Sequence, residues 1–277
     1  MFYMSHKVAI LTVVYRNYTT LKDFFGSLSK QTSKDFQVYL FDGSPQKVQF
    51  NLPFYAQLIH GENRGYAHGI NTAYSRAEKN HDYFIVVNSD VIFDAHFIEN
   101  AVQSLTKNPQ SLIGGKIYYA PGYEYHTTNY SSKDHGHVLW YAGGHIDWHN
   151  VLAIHRGVDM VDTGQYDTKE ETRFITGCLL CYSKETAKIL GTWDTKYGMY
   201  FEDADLCVRA QQKKISLIYD PSLIIWHKNA QSSGGSGSSS QEKLVNKSRL
   251  FFGLHYAPFR TKIHLLKNES LRFFRFT

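Results

Sequence analysis

Tyr83-Phe84-Ile85-Val86-Val87-Asn88-Ser89-Asp90 is the segment from which the architecture can be read. Its apolar run from Phe84 to Val87 reads as a strand buried on both faces, the kind used by parallel sheets. The strand runs into a turn that carries a carboxylate. Open α/β sheets bind their ligands at the carboxyl ends of such strands. Taken alone, an Asn-Ser-Asp turn after a strand also has a plain structural reading. Outward from this segment the pattern repeats. Val8–Val14 reads as a first strand and residues 21–29 as a helix with Leu21, Phe24, Phe25 and Leu28 on one face. Residues 36–41 form a second expected strand, ending at Asp42-Gly43-Ser44-Pro45, and 58–60 a short third one. A second helix is expected over 69–79. Alternating strands and helices predict an α/β fold with a mostly parallel central sheet and right-handed crossovers.

The second half is less regular. Residues 112–119 and 174–182 read as strands, 203–213 as a helix, and 217–219 and 223–226 as two short strands. Residues 121–172 are polar, aromatic and His-rich without clear periodicity, as expected of a functional insertion of hairpins and loops. Residues 232–240 (SSGGSGSSS) are low-complexity and read as a mobile loop over the site. The expected organisation is one domain over 1–230, with halves of about 1–115 and 116–230. A Gly/Ser loop over 231–241 and a basic, aromatic, helical tail over 242–277 would follow.

A chain of 277 residues with 43% apolar side chains can bury a substantial core. Its apolar runs are too short to span a bilayer. Three cysteines suit a reduced compartment without a disulfide framework, and no secretion signal is evident. Together these lead to a cytoplasmic expectation. The net charge of +5 suits nucleic acid, a membrane surface or an anionic small substrate. The charge is concentrated at the end: residues 243–277 hold four Lys and four Arg against Glu269, interleaved with aromatics. That composition fits peripheral contact with an anionic membrane, or a packed helix with a solvated basic face. No nucleic-acid-binding motif is present, so nucleic acid is not an expected partner.

Several residues carry chemistry. Asp42, at a strand end, can accept the imide N–H of a pyrimidine or make an ordinary Asx turn. Glu62-Asn63-Arg64-Gly65-Tyr66-Ala67-His68-Gly69-Ile70-Asn71 opens a helix, where backbone N–H groups and Arg64 favour phosphate. It lacks the glycine spacing and Lys of a P-loop. Asp90 and His227 are oxygen and imidazole donors suited to Mn²⁺ or Mg²⁺. Glu202, Asp203 and Asp205 crowd one helical turn and cannot all point the same way; one can act as a general base toward a hydroxyl. Cys178 and Cys181 lie in an apolar strand without a second pair and read as core cysteines. No zinc-peptidase His-Glu pattern or Gly-x-Ser-x-Gly elbow occurs.

In order, VAILTVVYRN (8–17), DGS (42–44), ENRGYAHGIN (62–71), VNSD (87–90), WYAGGHIDW (140–148), GQYD (164–167), FITGCLLCY (174–182), YFEDADLCVR (200–209) and IWHK (225–228) resemble the family 2 inverting glycosyltransferases, especially the bacterial rhamnosyltransferase-like branch. The chain departs in carrying Tyr15-Arg16-Asn17 where Tyr-Asn is common, and one acid, Asp90, where some members carry two. The resemblance implies a GT-A fold: a nucleotide-binding half and an acceptor-binding half around one continuous sheet. It implies that Tyr15, Asp42, Asn63, Arg64, Gly65, Asn71 and Ser89 line the nucleotide-sugar side. Asp90 and His227 would hold the divalent metal. Asp203 would be the catalytic base, with Glu202 second. Trp140, Gly143, Gly144 and Trp148 would line the sugar and acceptor cleft. The implied donor is dTDP-L-rhamnose, with a UDP-hexose as the alternative. The implied acceptor is a glycan or lipid-linked glycan of a surface polysaccharide. A catalytically inactive nucleotide- or carbohydrate-binding module is the reading from another class.

Overall fold

The computed structural model describes residues 7–46, 50–229 and 239–275, with only the backbone described at 239–241 and 269–275. The first half runs β1 (Val8–Val14), α1 (Leu21–Leu28), β2 (Phe36–Asp42), β3 (Ala56–His60), α2 (Tyr66–Ala77), β4 (Tyr83–Val87), β5 (Val91–Phe93), α3 (Phe97–Lys107) and β6 (Ser111–Tyr119). The second half runs β7 (Leu139–Tyr141), β8 (Gly144–Asp147), β9 (Leu152–His155), β10 (Glu170–Glu171), β11 (Leu179–Ser183), α4 (Lys184–Leu190), α5 (Glu202–Gln212), β12 (Ser216–His227), α6 (Ser239–Tyr256) and α7 (Phe259–Arg275).

One large sheet organises the domain, in the order β10-β12-β6-β11-β4-β1-β2-β3. β1 pairs in parallel with both β2 and β4, β2 with β3, and β12 with β6. β11 lies antiparallel between β4 and β6 and so joins the two halves into one continuous sheet. All strands of that path except β10 and β11 therefore point the same way. The apolar runs that define β1 and β4 are buried because helices cover both faces of a parallel sheet. α1 turns Leu21, Phe24 and Leu28 inward at helical spacing. The chain moves outward from β1 to β2 and β3, then returns to place β4 on the other side of β1. That reversal opens a crevice at the carboxyl ends of the strands.

Three expectations change. The strand expected over 174–182 shortens to β11, because the backbone of 174–178 is used elsewhere: the Gly177 N–H donates to Asp203, and the Phe174 N–H donates to the Gly144 carbonyl. The two short strands expected over 217–226 are one strand, β12, interrupted by an irregularity between Asp220 and Ile224. Residue 115 lies inside β6, so the two halves share a strand. The loop expected over 231–241 falls outside the described residues up to 238, and α6 already begins at Ser239. The 121–172 insertion contains the β8–β9 hairpin and is pinned to β6 by buried Lys116, which pairs with Asp162 at 2.7 Å and with Asp167.

Candidate active site

The carboxyl edge of the sheet gathers the sequence-predicted groups. β1 delivers Tyr15, β2 delivers Asp42, β4 delivers Ser89 and Asp90, and β12 ends on His227. Asp90 and His227 meet because β5 pairs antiparallel with β12, placing Val91 opposite His227. The His227 Nε2 to Asp90 Oδ1 separation is 3.2 Å, and both side chains are buried. Burial opposes charge on Asp90, but His227 holds its carboxyl below the usual range. Burial also opposes a proton on His227, but Cys178 and Asp90 raise the imidazole well above its ordinary value. Two donors about 3 Å apart fit adjacent positions on one divalent ion with ligand bonds of roughly 2.0–2.3 Å. Among the described residues no group of three His, Cys, Asp or Glu forms a closed metal site. The pair fits an open site in which substrate oxygens and water complete the sphere.

At the β2 end, buried Asp42 accepts the Ser44 N–H through Oδ1 and the Tyr18 hydroxyl through Oδ2, at 2.9 Å each. His60 Nδ1 lies 3.5 Å from the same Oδ2. Arg16 lies over the Tyr15 ring, 5.0 Å to its centroid, and has a positive φ of 62°. Asn63 Oδ1 accepts the Gly65 N–H, while Arg64 pairs with Glu62 on the surface. Gly65 has φ 99°, and a Cβ there would lie 2.1 Å from the Gly198 carbonyl oxygen. The first N–H of α2, from Tyr66, donates to that carbonyl. The helix start that the sequence offers to phosphate is therefore partly taken by the loop before α5. Asn71 serves the same loop: its amide donates to and accepts from the Trp193 backbone at 2.8 and 3.0 Å.

Glu202 and Asp203 open α5 after two consecutive residues in the left-handed region, Tyr200 (φ 70°) and Phe201 (φ 68°). Non-glycine residues held there store strain, a feature that clusters at functional sites. Asp203 Oδ2 accepts the Gly177 N–H and Oδ1 accepts the Ala204 N–H, at 2.8 Å each. Glu202 is buried and its Oε2 has no partner. Burial and the neighbouring Asp203 push the Glu202 carboxyl up to about 8. Burial also raises Asp203, while N–H donors from Gly177 and Ala204 counter the rise. Burial thus acts against charge on both acids, and Asp203 has two N–H donors that oppose the rise, whereas Glu202 Oε2 has none. Asp205 takes no part: it pairs with Arg209 at 2.7 Å and accepts the Tyr256 hydroxyl.

The Gly177-Cys178 dipeptide links the two acid groups. Gly177 donates to Asp203, and its carbonyl accepts the Tyr66 hydroxyl at 3.0 Å. Cys178 also bears on His227, since it is the first of the groups that raise the imidazole. Burial raises the Tyr66 phenol well above its ordinary value, with Cys178, Glu202, Asp203 and Asp90 adding to the rise. Cys178 is a core cysteine, as the sequence suggests, that also borders the candidate site, and Tyr66 was not singled out by sequence. The signal for Cys178 is its register: β11 pairs Leu179 with Val87, and the Asn88 N–H donates to the Cys178 carbonyl.

Trp140 stands beside His227, its ring edge-to-face at 4.6 Å, and beside His155 at 4.5 Å. Trp148 lies away from this centre and stacks on Phe252 of α6 at 5.6 Å. Gly143 (φ 91°) leaves room for the Arg156 guanidinium, which a Cβ would approach to 2.9 Å. Gly144 donates its N–H to Thr172 and accepts from Arg173 and Phe174. The two glycines join β7, which carries Trp140 and pairs with β6, to the β8–β9 hairpin, whose turn carries Trp148. The helical tail expected from the sequence includes α6, but its contact with the site loop was not foreseen: the Ser248 hydroxyl lies within hydrogen-bond range of the Tyr197 and Met199 carbonyls, at 3.0 and 2.8 Å, just before the strained turn.

The family model for glycosyl transferase family 2 matches residues 9–179. The chain belongs to that family. It is 23% identical over 297 residues to N-acetylglucosaminyl-diphospho-decaprenol L-rhamnosyltransferase of Mycobacterium tuberculosis, in two strains, covering 97% of this chain and 95% of that protein. Among solved structures it is similar to GalNAc-T7 with UDP, GalNAc and Mn²⁺, with a TM-score of 0.69 and 13% identity over 94% of this chain. The chain spans half the length of that protein, 50%. It is also similar to the mannosyltransferase PcManGT from Pyrobaculum calidifontis in complex with GDP-Man and Mn²⁺, with a TM-score of 0.53 and 14% identity, over 95% of this chain and 69% of that one. The fold is GT-A and the protein is a glycosyltransferase.

Proposed function

We propose that the protein is an inverting, divalent-metal-dependent hexosyltransferase that moves L-rhamnose from dTDP-L-rhamnose to a hydroxyl of a lipid-linked glycan. A UDP-hexose is the alternative donor. The observation that carries the reading is the pairing of two unlike acid centres around Gly177-Cys178: Asp90–His227 on one side and Glu202–Asp203 on the other. The rhamnosyl donor and lipid-linked acceptor are supported by the Mycobacterium tuberculosis relative.

Asp90 Oδ1 and His227 Nε2 would hold Mn²⁺ or Mg²⁺, as the two Mn²⁺-containing relatives support. When bound, such an ion neutralises charge on a departing nucleoside diphosphate. The rest of the chemistry belongs to the chain. Asp42 reads the pyrimidine with the lone pairs that Ser44 and Tyr18 leave open. Arg64 turns from Glu62 toward phosphate. Asp203, ionised and fixed by two N–H donors, takes the proton of the acceptor hydroxyl as its oxygen attacks the anomeric carbon from the face opposite the leaving group. The bond to the diphosphate breaks as the new glycosidic bond forms, so the carbon inverts. Glu202 keeps its proton and so adds no second negative charge beside the attacking oxygen. Trp140 offers an apolar face to a pyranose.

Calorimetry with a panel of nucleotide sugars, with and without Mn²⁺ or Mg²⁺, tests this. The expected result is metal-dependent binding with dTDP-rhamnose preferred. Asp203→Asn is expected to bind that donor as the native protein does while transfer falls by roughly 10²–10⁴. Preference for a UDP-sugar would change the product and keep the mechanism. Loss of donor binding in Asp203→Asn, or persistent turnover, would remove Asp203 from the role of base. Failure of every donor to bind well-folded protein would favour the inactive-module reading.

A further inference from the structure

We infer that α7 is an in-plane membrane helix whose exposed apolar stripe inserts into the surface of an anionic lipid bilayer. Among its described side chains, α7 turns Leu265 to the domain. Leu265 is 7% exposed and packs toward Gly253 of α6, where a Cβ would meet its methyl at 2.4 Å. The outward side carries Phe259, Ile263 and Leu266, which are 77%, 52% and 55% exposed. Their spacing of four and three residues puts them on one helical stripe. Soluble surfaces carry single exposed apolar residues without consequence, but three large ones in register form a patch that water disfavours.

The chemistry of the flanks selects the partner. On the helical wheel Arg260 and Lys267 lie to one side of the stripe and Lys262 to the other. α6 exposes Leu244 and Phe251, two turns apart, with Lys243 and Lys247 exposed beside Leu244. An apolar stripe bordered by cations matches the acyl boundary and phosphate level of an anionic bilayer. Self-association through the same stripe would bring basic borders of two copies together, which opposes a homodimer. Among the described residues no helix is long and apolar enough to cross a membrane, so contact through α7 would lie in the interface plane.

The placement of the helix pair gives the contact a direction. Phe252 of α6 packs on Trp148 of the acceptor-side hairpin and on Phe201, the residue before Glu202, and Tyr256 bonds Asp205. The proposed membrane face is therefore anchored beside the acceptor side of the cleft. A glycan carried on a membrane lipid would meet the site there. The inference extends the transferase reading without depending on it, because its test uses neither donor nor turnover.

The full chain would be floated with phosphatidylcholine vesicles with and without phosphatidylglycerol. Co-flotation with the anionic vesicles, weakened by salt, is expected. Phe259→Ser/Ile263→Ser/Leu266→Ser should lower the bound fraction about tenfold or more at an unchanged melting temperature. Arg260→Gln/Lys262→Gln should weaken binding and flatten its salt dependence. Native protein that does not float with anionic vesicles would overturn the inference. So would a well-folded triple serine variant that floats like the native chain. Light scattering supplies a further check: a dimer dissolved by the serine variant, without vesicle binding, would place a second copy on the stripe and overturn the bilayer assignment.

Discussion

Glu202 and Asp203 are neighbours in sequence but occupy different electrostatic environments. Asp203 receives two N–H groups, whereas Glu202 points an unpartnered Oε2 into a buried place. That arrangement costs stability. The folded state keeps a proton on Glu202 up to about 8, while the unfolded chain releases it near 4.3. Between those values the folded state binds more protons, so stability falls as pH rises. Glu202→Gln removes this linkage. Its melting temperature should exceed that of the native protein by a margin that grows from about pH 5 to about pH 8. A margin constant across that range would show that Glu202 ionises alike in both states. Transfer should survive in Glu202→Gln if, as proposed, Asp203 is the base.

α6 holds the strained turn in place. Phe252 is fully buried against Trp148, Phe201 and Tyr256, with ring centroids 5.6, 5.3 and 5.1 Å away. Ser248 fixes the backbone of the 197–199 loop that precedes Tyr200 and Phe201. Left-handed residues persist only where their surroundings over-determine them. Phe252→Ala should cost about 3–5 kcal/mol of stability. Ser248→Ala, a smaller change, should lower kcat while leaving nucleotide-sugar affinity near native. A Ser248→Ala enzyme with native kcat would mean that the turn holds without α6. The sequence marks α6 as basic, aromatic and helical, but does not say which loop it clamps. That depends on contacts with residues some fifty positions earlier, which no helical periodicity encodes.

The protein as a whole rests its insertion and its far strand on buried acids. Burial would raise Asp162, but hydrogen bonds from Lys116 and Tyr118 hold its pKa below the ordinary value. Asp220 behaves alike: burial opposes its charge, yet Lys169, Ser104 and Ser222 keep it low. Lowered carboxylates contribute stability that is present above the unfolded value of roughly 3.9 and is lost as pH falls through the folded one. Thermal melts should therefore show a drop in melting temperature below about pH 4. Asp220→Asn should lower the melting temperature at neutral pH and make the acid limb shallower. An acid limb as steep in Asp220→Asn as in the native chain would assign the loss to other groups.

The alternating strands and helices are legible along the chain, because buried runs and amphipathic spacings are local signals. So are the acids that close β2 and β4, since a strand that ends on Asp42 or leads into Asp90 states this directly. The ordered motifs identified the family. The tertiary structure alone decided which distant groups touch. The β5–β12 pairing sets His227 against Asp90, and the insertion of β11 between β4 and β6 brings the Cys178 carbonyl to the Asn88 N–H, beside the Asp90 turn. The same insertion turns what reads as a nine-residue strand over 174–182 into a short strand preceded by a segment whose N–H groups serve Asp203 and Gly144. The difference in environment between Glu202 and Asp203 was likewise decided in space, because burial and nearby donors depend on how distant segments pack. Register and burial arise from pairing between segments far apart in the chain, and no local pattern records them.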